Sequence, residues 1–280
     1  GFWPGEGCGL LVLMREAATQ MHGLSLHYYC GSGKRSRSAP RFVEEDWFHL
    51  LQSALRMEEL VTKHSAIMDK YDPQKRVAMI VDEWGSWHAV EPGTNPGFLY
   101  QQNTLRDAMV AGLTLNIFNQ HCDRVRMANI AQAINVLQAV ILTDKARMIL
   151  TPTYHVFEMF AVHHDATLLP AEVSGPPYGF GAETIPGLSV SASRDKAKRI
   201  HISLCNLNPN APAEIACELT GAKARQITGR LLSAAEVTAH NTFDNPDRVK
   251  PADFHEFKIT EQGIAATLPA KSIVLLEITE

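Results

Sequence analysis

The stretch Val77-Ala-Met-Ile-Val-Asp-Glu-Trp-Gly-Ser-Trp87 sets the first constraint on this chain: five apolar residues run without interruption into two acids, followed by two tryptophans around a glycine. A strand lacking polar alternation is covered on both faces, which is the pattern of parallel strands packed between helices. In barrel enzymes of that architecture the chemistry sits at the C-terminal ends of such strands. Glu83 occupies that position here. Taken alone, an Asp-Glu pair ending a strand is more often solvated than catalytic, so the surroundings have to decide.

The first two-thirds of the chain alternate helical and buried-strand patterns. A short helix is expected from Leu10 to Met21, then the strand Gly23-Leu-Ser-Leu-His-Tyr-Tyr29. Glu44 to Tyr71 carries Trp47, Leu51, Leu55 and Met57 to Leu60 near helical spacing, and Asp72-Pro73 stops it. Strand Val77–Val81 follows. A helix from about Leu99 to Phe118 repeats apolar positions at Leu105, Met109, Leu113 and Ile117. Next come a third strand, Arg124 to Gln132, and a further helical region reaching His163. Such repeats imply parallel strands with right-handed crossovers, although three strands fall short of the eight of a closed barrel.

Beyond Asp165 the pattern changes to short alternating segments: Leu188–Ala192, Ile200–Leu204, Ile215–Leu219, Ile264–Leu268 and Ile273–Ile278. Turn-rich stretches such as Asn206-Leu-Asn-Pro-Asn-Ala-Pro212 separate them. Period-two alternation punctuated by Pro, Gly and Asn predicts an antiparallel sandwich. Residues 1–165 are therefore expected to form a partial barrel, and residues 166–280 a β-sandwich domain.

Composition narrows the function classes. The formal net charge is −4 in 280 residues, and the one basic cluster, Lys34-Arg35-Ser36-Arg37, reads as a solvated loop. No nucleic-acid partner is expected, and no apolar run is long enough to span a bilayer. Five scattered cysteines without a Cys-x-x-Cys pairing argue against a disulfide framework or a thiolate zinc site, and fit a reducing compartment. His155, His163, His164 and Asp165 cluster in sequence but lack metal-ligand spacing, so they are read as helix-surface and linker residues, with no metal or other cofactor expected. The N-terminus, Gly1-Phe-Trp-Pro-Gly-Glu-Gly7, reads as an interior cut, with neither an initiating Met nor a signal pattern.

Several motifs in one order resemble family 51 of the glycoside hydrolases, the α-L-arabinofuranosidases. They are Gly23–Tyr29, Val81-Asp-Glu-Trp-Gly-Ser-Trp87, Asn103–Phe118, Asp123–Gln138, Leu150–Met159 and His240-Asn-Thr-Phe243. The resemblance implies a (β/α)8 TIM barrel followed by an antiparallel β-sandwich, with Gly23–Tyr29, Val77–Val81 and Val125–Ala131 as barrel strands six, seven and eight. It also implies a retaining hydrolase that removes terminal non-reducing α-L-arabinofuranosyl groups from arabinan or arabinoxylan. Glu83 falls on the nucleophile. His27 and Tyr29 fall on pocket positions, and Gln132 on a position that contacts the sugar. The family's bacterial members are typically cytoplasmic homo-oligomers.

A retaining glycosidase uses two carboxyl groups about 5–5.5 Å apart, one attacking the anomeric carbon and one protonating the leaving oxygen. Tyr29 is placed to hydrogen-bond the nucleophile or the ring oxygen, and His27 to orient a carboxylate or a sugar hydroxyl. Gln132 offers donors and an acceptor. Trp84 and Trp87 present faces on which a sugar can stack, with Trp84 taken as a substrate-binding candidate. Asp82 supports the site or caps the following turn. The family's acid/base glutamate follows an Asn after strand four, and no Asn-Glu dipeptide occurs in this sequence. Strands one to five and the acid/base are thus expected to lie outside these residues, and the chain alone to be inactive. Two other readings stay open: a retaining glycosidase for xylosides or β-glucans, and a non-catalytic carbohydrate-binding module built on the sandwich.

Overall fold

The apolar run at Val77 becomes the middle of a three-stranded parallel sheet. The structure, a computed structural model, describes residues 4–31 and 38–280; the basic cluster Lys34–Arg37 lies outside them. Helix α1 (Pro4–Ala17) precedes strand β1 (Gly23–Cys30). Helix α2 (Glu44–Tyr71) then crosses to β2 (Ala78–Ser86), and α3 (Leu105–Gln120) crosses to β3 (Val125–Ile130). The sheet order is β1-β2-β3 with both pairings parallel.

Helix α2 has the bounds its periodicity predicts. Three acids in its first turn suit the positive end of the helix dipole, and its apolar stripe, from Trp47 to Met68, is buried against the sheet. Strand β2 runs five residues past its expected end. Its backbone keeps pairing with β1 through the acids and beyond, His27 opposite Glu83 and Tyr29 opposite Gly85.

Two expected helices change. The segment from Leu99 opens not in a helix but with Leu99 in the left-handed region at φ 53°. Helix α3 waits until Thr104 supplies a capping box with Asp107. The region after Gln132 is helical only at its end. A hairpin of β4 (Ile141–Asp144) and β5 (Arg147–Leu150) comes first, turning at Lys145 with φ 56°. Helix α4 (Pro152–Phe160) follows, with Thr151 as its cap and Pro152 at the first helical position.

The C-terminal part is two packed antiparallel sheets. Strands β6 (Thr167–Leu169), β9 (Leu188–Arg194), β10 (Ile200–Asn206), β12 (Gln226–Leu232), β13 (Ala252–Asp253) and β16 (Ser272–Thr279) form one, in the order β13-β12-β16-β10-β9-β6. Strands β11 (Ala213–Glu218), β14 (Phe257–Ile259) and β15 (Gly263–Leu268) form the other. A small hairpin, β7 (Tyr178–Phe180) with β8 (Glu183–Ile185), reaches back to α2, where Tyr178 packs edge-on against Phe48. Strand β12 escapes the alternation pattern because Gly229 interrupts it; a Cβ there would lie 2.8 Å from the Phe254 carbonyl oxygen.

The six-stranded sheet has two unlike buried faces. Val190, Ala192, Ile200, Ile202, Leu204, Val274, Leu276 and Ile278 fill the sandwich core. The residues between them meet α3. Asn116 donates to Ser189 and accepts from Ser203, Asn119 donates to Ser191, and Gly112 admits the Cys205 sulfur, which would lie 2.9 Å from an added Cβ. Helix α3 is therefore buried nearly all round, between the parallel sheet and the sandwich. His163 belongs to the same seam, between Ser193 (2.7 Å) and Ser203 (3.1 Å). The expectation that it lies on a helix surface is corrected: two small hydroxyls on alternate sheet positions leave room for an imidazole.

Below the sheet, Arg124 is buried and donates to Asp69, to the carboxylate and carbonyl of Asp72, and to the carbonyl of Val77. It joins the end of α2 to the starts of β2 and β3. Asp72→Ala, which strips the buried partner from this guanidinium, is expected to cost about 3 kcal/mol of stability in urea denaturation.

Burial, with the charges of His201 and His164, lowers the His163 pKa to about 4. The folded seam thus holds the neutral ring, while an unfolded histidine titrates near 6.5. Stability from this residue is full above that value and is lost as pH falls towards 4, by about 3 kcal/mol. Unfolding free energy should therefore fall from pH 6.5 to 4, with a shallower slope in His163→Asn.

Candidate active site

Successive side chains on a strand point to opposite faces, yet Asp82 and Glu83 both approach His27. Register shifts between Ser25 and His27 on β1, and between Val81 and Trp84 against β3, make this possible. His27 Nε2 lies 3.0 Å from Asp82 Oδ1, and its Nδ1 lies 3.6 Å from Glu83 Oε2. The Tyr29 hydroxyl donates to Glu83 Oε2 at 2.9 Å, and the Ser25 hydroxyl donates to Asp82 Oδ1 at 2.6 Å. The result is a small polar cluster at the C-terminal end of a buried parallel sheet. The Glu83 side chain is 41% exposed, open to a ligand.

The electrostatics assign states to this cluster. Burial, reinforced by the bond to Glu83 and its charge, pushes the Tyr29 phenol well above its ordinary range. Tyr29 therefore stays a donor and holds one oxygen of Glu83 in place. The hydrogen bond from Ser25, with help from His27, keeps Asp82 below the usual carboxylate range despite some desolvation. Asp82 is thus a fixed anion that orients His27.

The tryptophans divide. Trp84 is 1% exposed and points away from the cluster, into the core, edge-on to Phe118 and stacked on Phe157. It is not brought to the site. Trp87 is 47% exposed and sits edge-on to Tyr29, with ring centroids 5.0 Å apart. Its backbone N–H donates to the Cys30 carbonyl, tying the end of β2 to β1. Gln132 is exposed just after β3, at the same end of the sheet. The neighbouring Ala131 donates its N–H to the Trp84 carbonyl, and Gln132 donates its own to Val136.

Behind this cluster lies a layer of buried polar residues that no motif reading singled out. Asp107 Oδ1 accepts from Ser86 (2.8 Å) and Gln138 (2.9 Å) and lies 2.9 Å from His88 Nε2. Its Oδ2 accepts from the backbone N–H and hydroxyl of Thr104. Burial alone would raise the Asp107 pKa, but the charge and hydrogen bond of His88, together with Arg106, hold it far below the usual range. The signal available in sequence was the capping pair Thr104 and Asp107, which indicates a helix start and says nothing of what else the acid holds.

A family model described as "Alpha-L-arabinofuranosidase C-terminal domain" matches residues 82–272. The chain belongs to the alpha-L-arabinofuranosidase C-terminal domain family. It is 46% identical over 270 residues to an intracellular exo-alpha-L-arabinofuranosidase from Bacteroides ovatus, covering 95% of this chain and 52% of that protein. The crystal structure of a GH51 arabinofuranosidase from Xanthomonas axonopodis pv. citri superposes with a TM-score of 0.96 at 47% identity, over 98% of this chain and 56% of that one. A family 51 alpha-L-arabinofuranosidase from Bifidobacterium longum, at 24% identity, matches in fold with a TM-score of 0.86, over 100% of this chain and 57% of its own.

The resemblance read from the motifs is borne out, as is the fold class: the C-terminal part of a barrel followed by an antiparallel sandwich. The chain spans about half the length of the relatives it matches. In this arabinofuranosidase domain the bend after the site depends on Gly85, whose φ is +134° and whose added Cβ would lie 2.7 Å from Gln138 Cγ. Gly85→Ala is expected to destabilise the fold by about 1–3 kcal/mol, read by urea denaturation.

Proposed function

We propose that this chain carries the nucleophile half of a retaining α-L-arabinofuranosidase acting on terminal non-reducing α-L-arabinofuranosyl groups of arabinan or arabinoxylan. The observation that carries the reading is Glu83: an accessible carboxylate at the end of a buried parallel strand, with one oxygen held by Tyr29 at 2.9 Å. In the first step an oxygen of Glu83 attacks the anomeric carbon. The C–O bond to the aglycone breaks as the glycosyl–Glu83 ester forms. Tyr29 steadies the attacking carboxylate, and His27, fixed by Asp82, faces the sugar. Gln132 meets sugar hydroxyls, and Trp87 rather than the buried Trp84 offers the aromatic wall.

The leaving oxygen needs a proton, and water must later be activated to break the ester. Within the cluster the other carboxylate is Asp82, held as an anion by Ser25 and His27, so it is a poor donor. We therefore read the acid/base as a residue outside these 280, and residues 1–165 and 166–280 as partial barrel and sandwich. The relatives' names support an intracellular setting and an arabinose-containing substrate. Homo-oligomerisation rests on the family resemblance.

In the longer protein that carries this chain, Glu83→Gln is expected to lower kcat on an aryl α-L-arabinofuranoside by roughly 10⁴-fold. Azide should restore turnover to Glu83→Ala, giving the β-configured glycosyl azide. Normal turnover by Glu83→Gln would refute the assignment. Rapid hydrolysis of the same substrate by the 280-residue chain alone would refute an external acid/base.

A further inference from the structure

The buried Asp107 carboxylate is a polar centre that the proposed reaction does not use directly. It lies at the start of α3, fully buried, and holds five hydrogen-bonding groups from three segments. Ser86 and His88 belong to the end of β2 and the loop after it. Thr104 caps α3. Gln138 belongs to the loop that follows β3.

The bonds from Ser86, His88 and Gln138 lead on to the neighbourhood of the proposed site. Ser86 is three residues beyond Glu83 and precedes Trp87. The Gln101 side chain secures the same turn from outside, accepting from the His88 N–H at 2.8 Å and donating to the Ser86 carbonyl at 3.2 Å. Gln138 donates its backbone N–H to the Ala131 carbonyl at 2.8 Å, beside Gln132, and its side chain also donates to Asn103 Oδ1 at 3.0 Å. Its Cγ fills the space that any side chain at position 85 would take.

Arg106 adds the countercharge. It is buried, stacked 3.6 Å over the Phe42 ring, with Nη2 3.3 Å from both the Ala39 carbonyl oxygen and His88 Nε2. Burying a charge carries a desolvation cost, and a hydrogen-bonded polar network can in turn rigidify the segments it joins. Here Arg106 ties the loop before α2 to His88, and the Asp107 bonds tie the end of β2 to the loop after β3.

We infer that Asp107 is a positioning residue for the glycosidase reaction, locking the ends of β2 and β3 together so that Glu83 and Gln132 face one sugar at a fixed separation. This rests on the reading of Glu83 as the nucleophile. Asp107 does not touch the substrate; it acts through Ser86, His88 and Gln138. A misplacement of about 1 Å in a reacting group costs on the order of 10²-fold in rate, so the effect belongs in kcat.

The test uses the longer protein that carries this chain, with Asp107→Asn, the milder Ser86→Ala, and Asp195→Asn as a control. Asp195 accepts from Arg199 and lies 3.1 Å from His201 on the sandwich, remote from β2. Asp107→Asn should lower kcat on an aryl arabinofuranoside about 30–100-fold with KM within threefold. Ser86→Ala should show the same split at about three- to tenfold, keeping the proposal open to test if Asp107→Asn does not fold. Asp195→Asn should lower Tm while leaving kcat unchanged.

A folded Asp107→Asn with wild-type kcat, a loss confined to KM, or an Asp195→Asn loss of kcat matching its loss of Tm would overturn the proposal. Glu83→Gln in the same assay separates the two claims. If it is inactive while Asp107→Asn and Ser86→Ala keep full kcat, positioning fails and the nucleophile stands. If Glu83→Gln is fully active, the reading of Glu83 fails instead.

Discussion

The hydrogen bonding of one buried carboxylate, Asp107, holds together the end of the molecule where the proposed chemistry sits. A bare anion is not tolerated in an interior without partners, and the partners come from the end of β2, the start of α3 and the loop after β3. The β2–β3 pairing already shifts register there, and Gln101 and Asn103 add further bonds around the same buried layer. The irregularity brings Asp82 and Glu83 to the same histidine, and the buried layer behind it limits how far that irregular backbone can move.

The same economy appears at the other end of the sheet and at its back. Arg124 joins α2, β2 and β3 below, its two terminal guanidinium nitrogens donating to carboxylates and carbonyls. Behind the sheet, α3 is shared: its apolar side packs on the strands, and its asparagines reach the serines of the six-stranded sheet. The sandwich also reaches the start of α3 directly, where Leu105 donates to the Ala239 carbonyl and Thr104 pairs with His240. Sandwich and parallel sheet therefore meet along the very helix whose first turn holds Ser86, three residues beyond Glu83.

Much of this was legible in the residues, and the exceptions have physical reasons. The Val77 run, the long helix Glu44–Tyr71 and five alternating strands were readable because burial on both faces, on one stripe or on alternate positions leaves a periodic trace. Ile141–Leu150 was misread as helical because a four-residue strand carries too few positions to show a period. Glu83, His27 and Tyr29 are picked out by the family resemblance, and the structure places them side by side. Trp84 was not placed correctly: strand alternation sends it to the face opposite Glu83, a signal present in the sequence and outweighed by its adjacency to the acids. Asp107, His88 and Gln138 could not be found by pattern, since each looks like a loop or cap residue until three loops converge. His163 was missed for the same reason, its partners lying on strands 30 and 40 residues away.

The central claim is that Glu83 forms the covalent bond to the sugar. The most direct test treats the longer protein carrying this chain with a 2-deoxy-2-fluoro arabinofuranosyl donor bearing a reactive leaving group, quenches in acid, and maps the labelled peptide by mass spectrometry. The expected result is one fluoroglycosyl adduct per chain on the peptide containing Val81-Asp-Glu-Trp-Gly85, with fragmentation assigning it to Glu83. An adduct on another carboxylate, Asp82 included, or complete inactivation with Glu83 unmodified, would contradict the account.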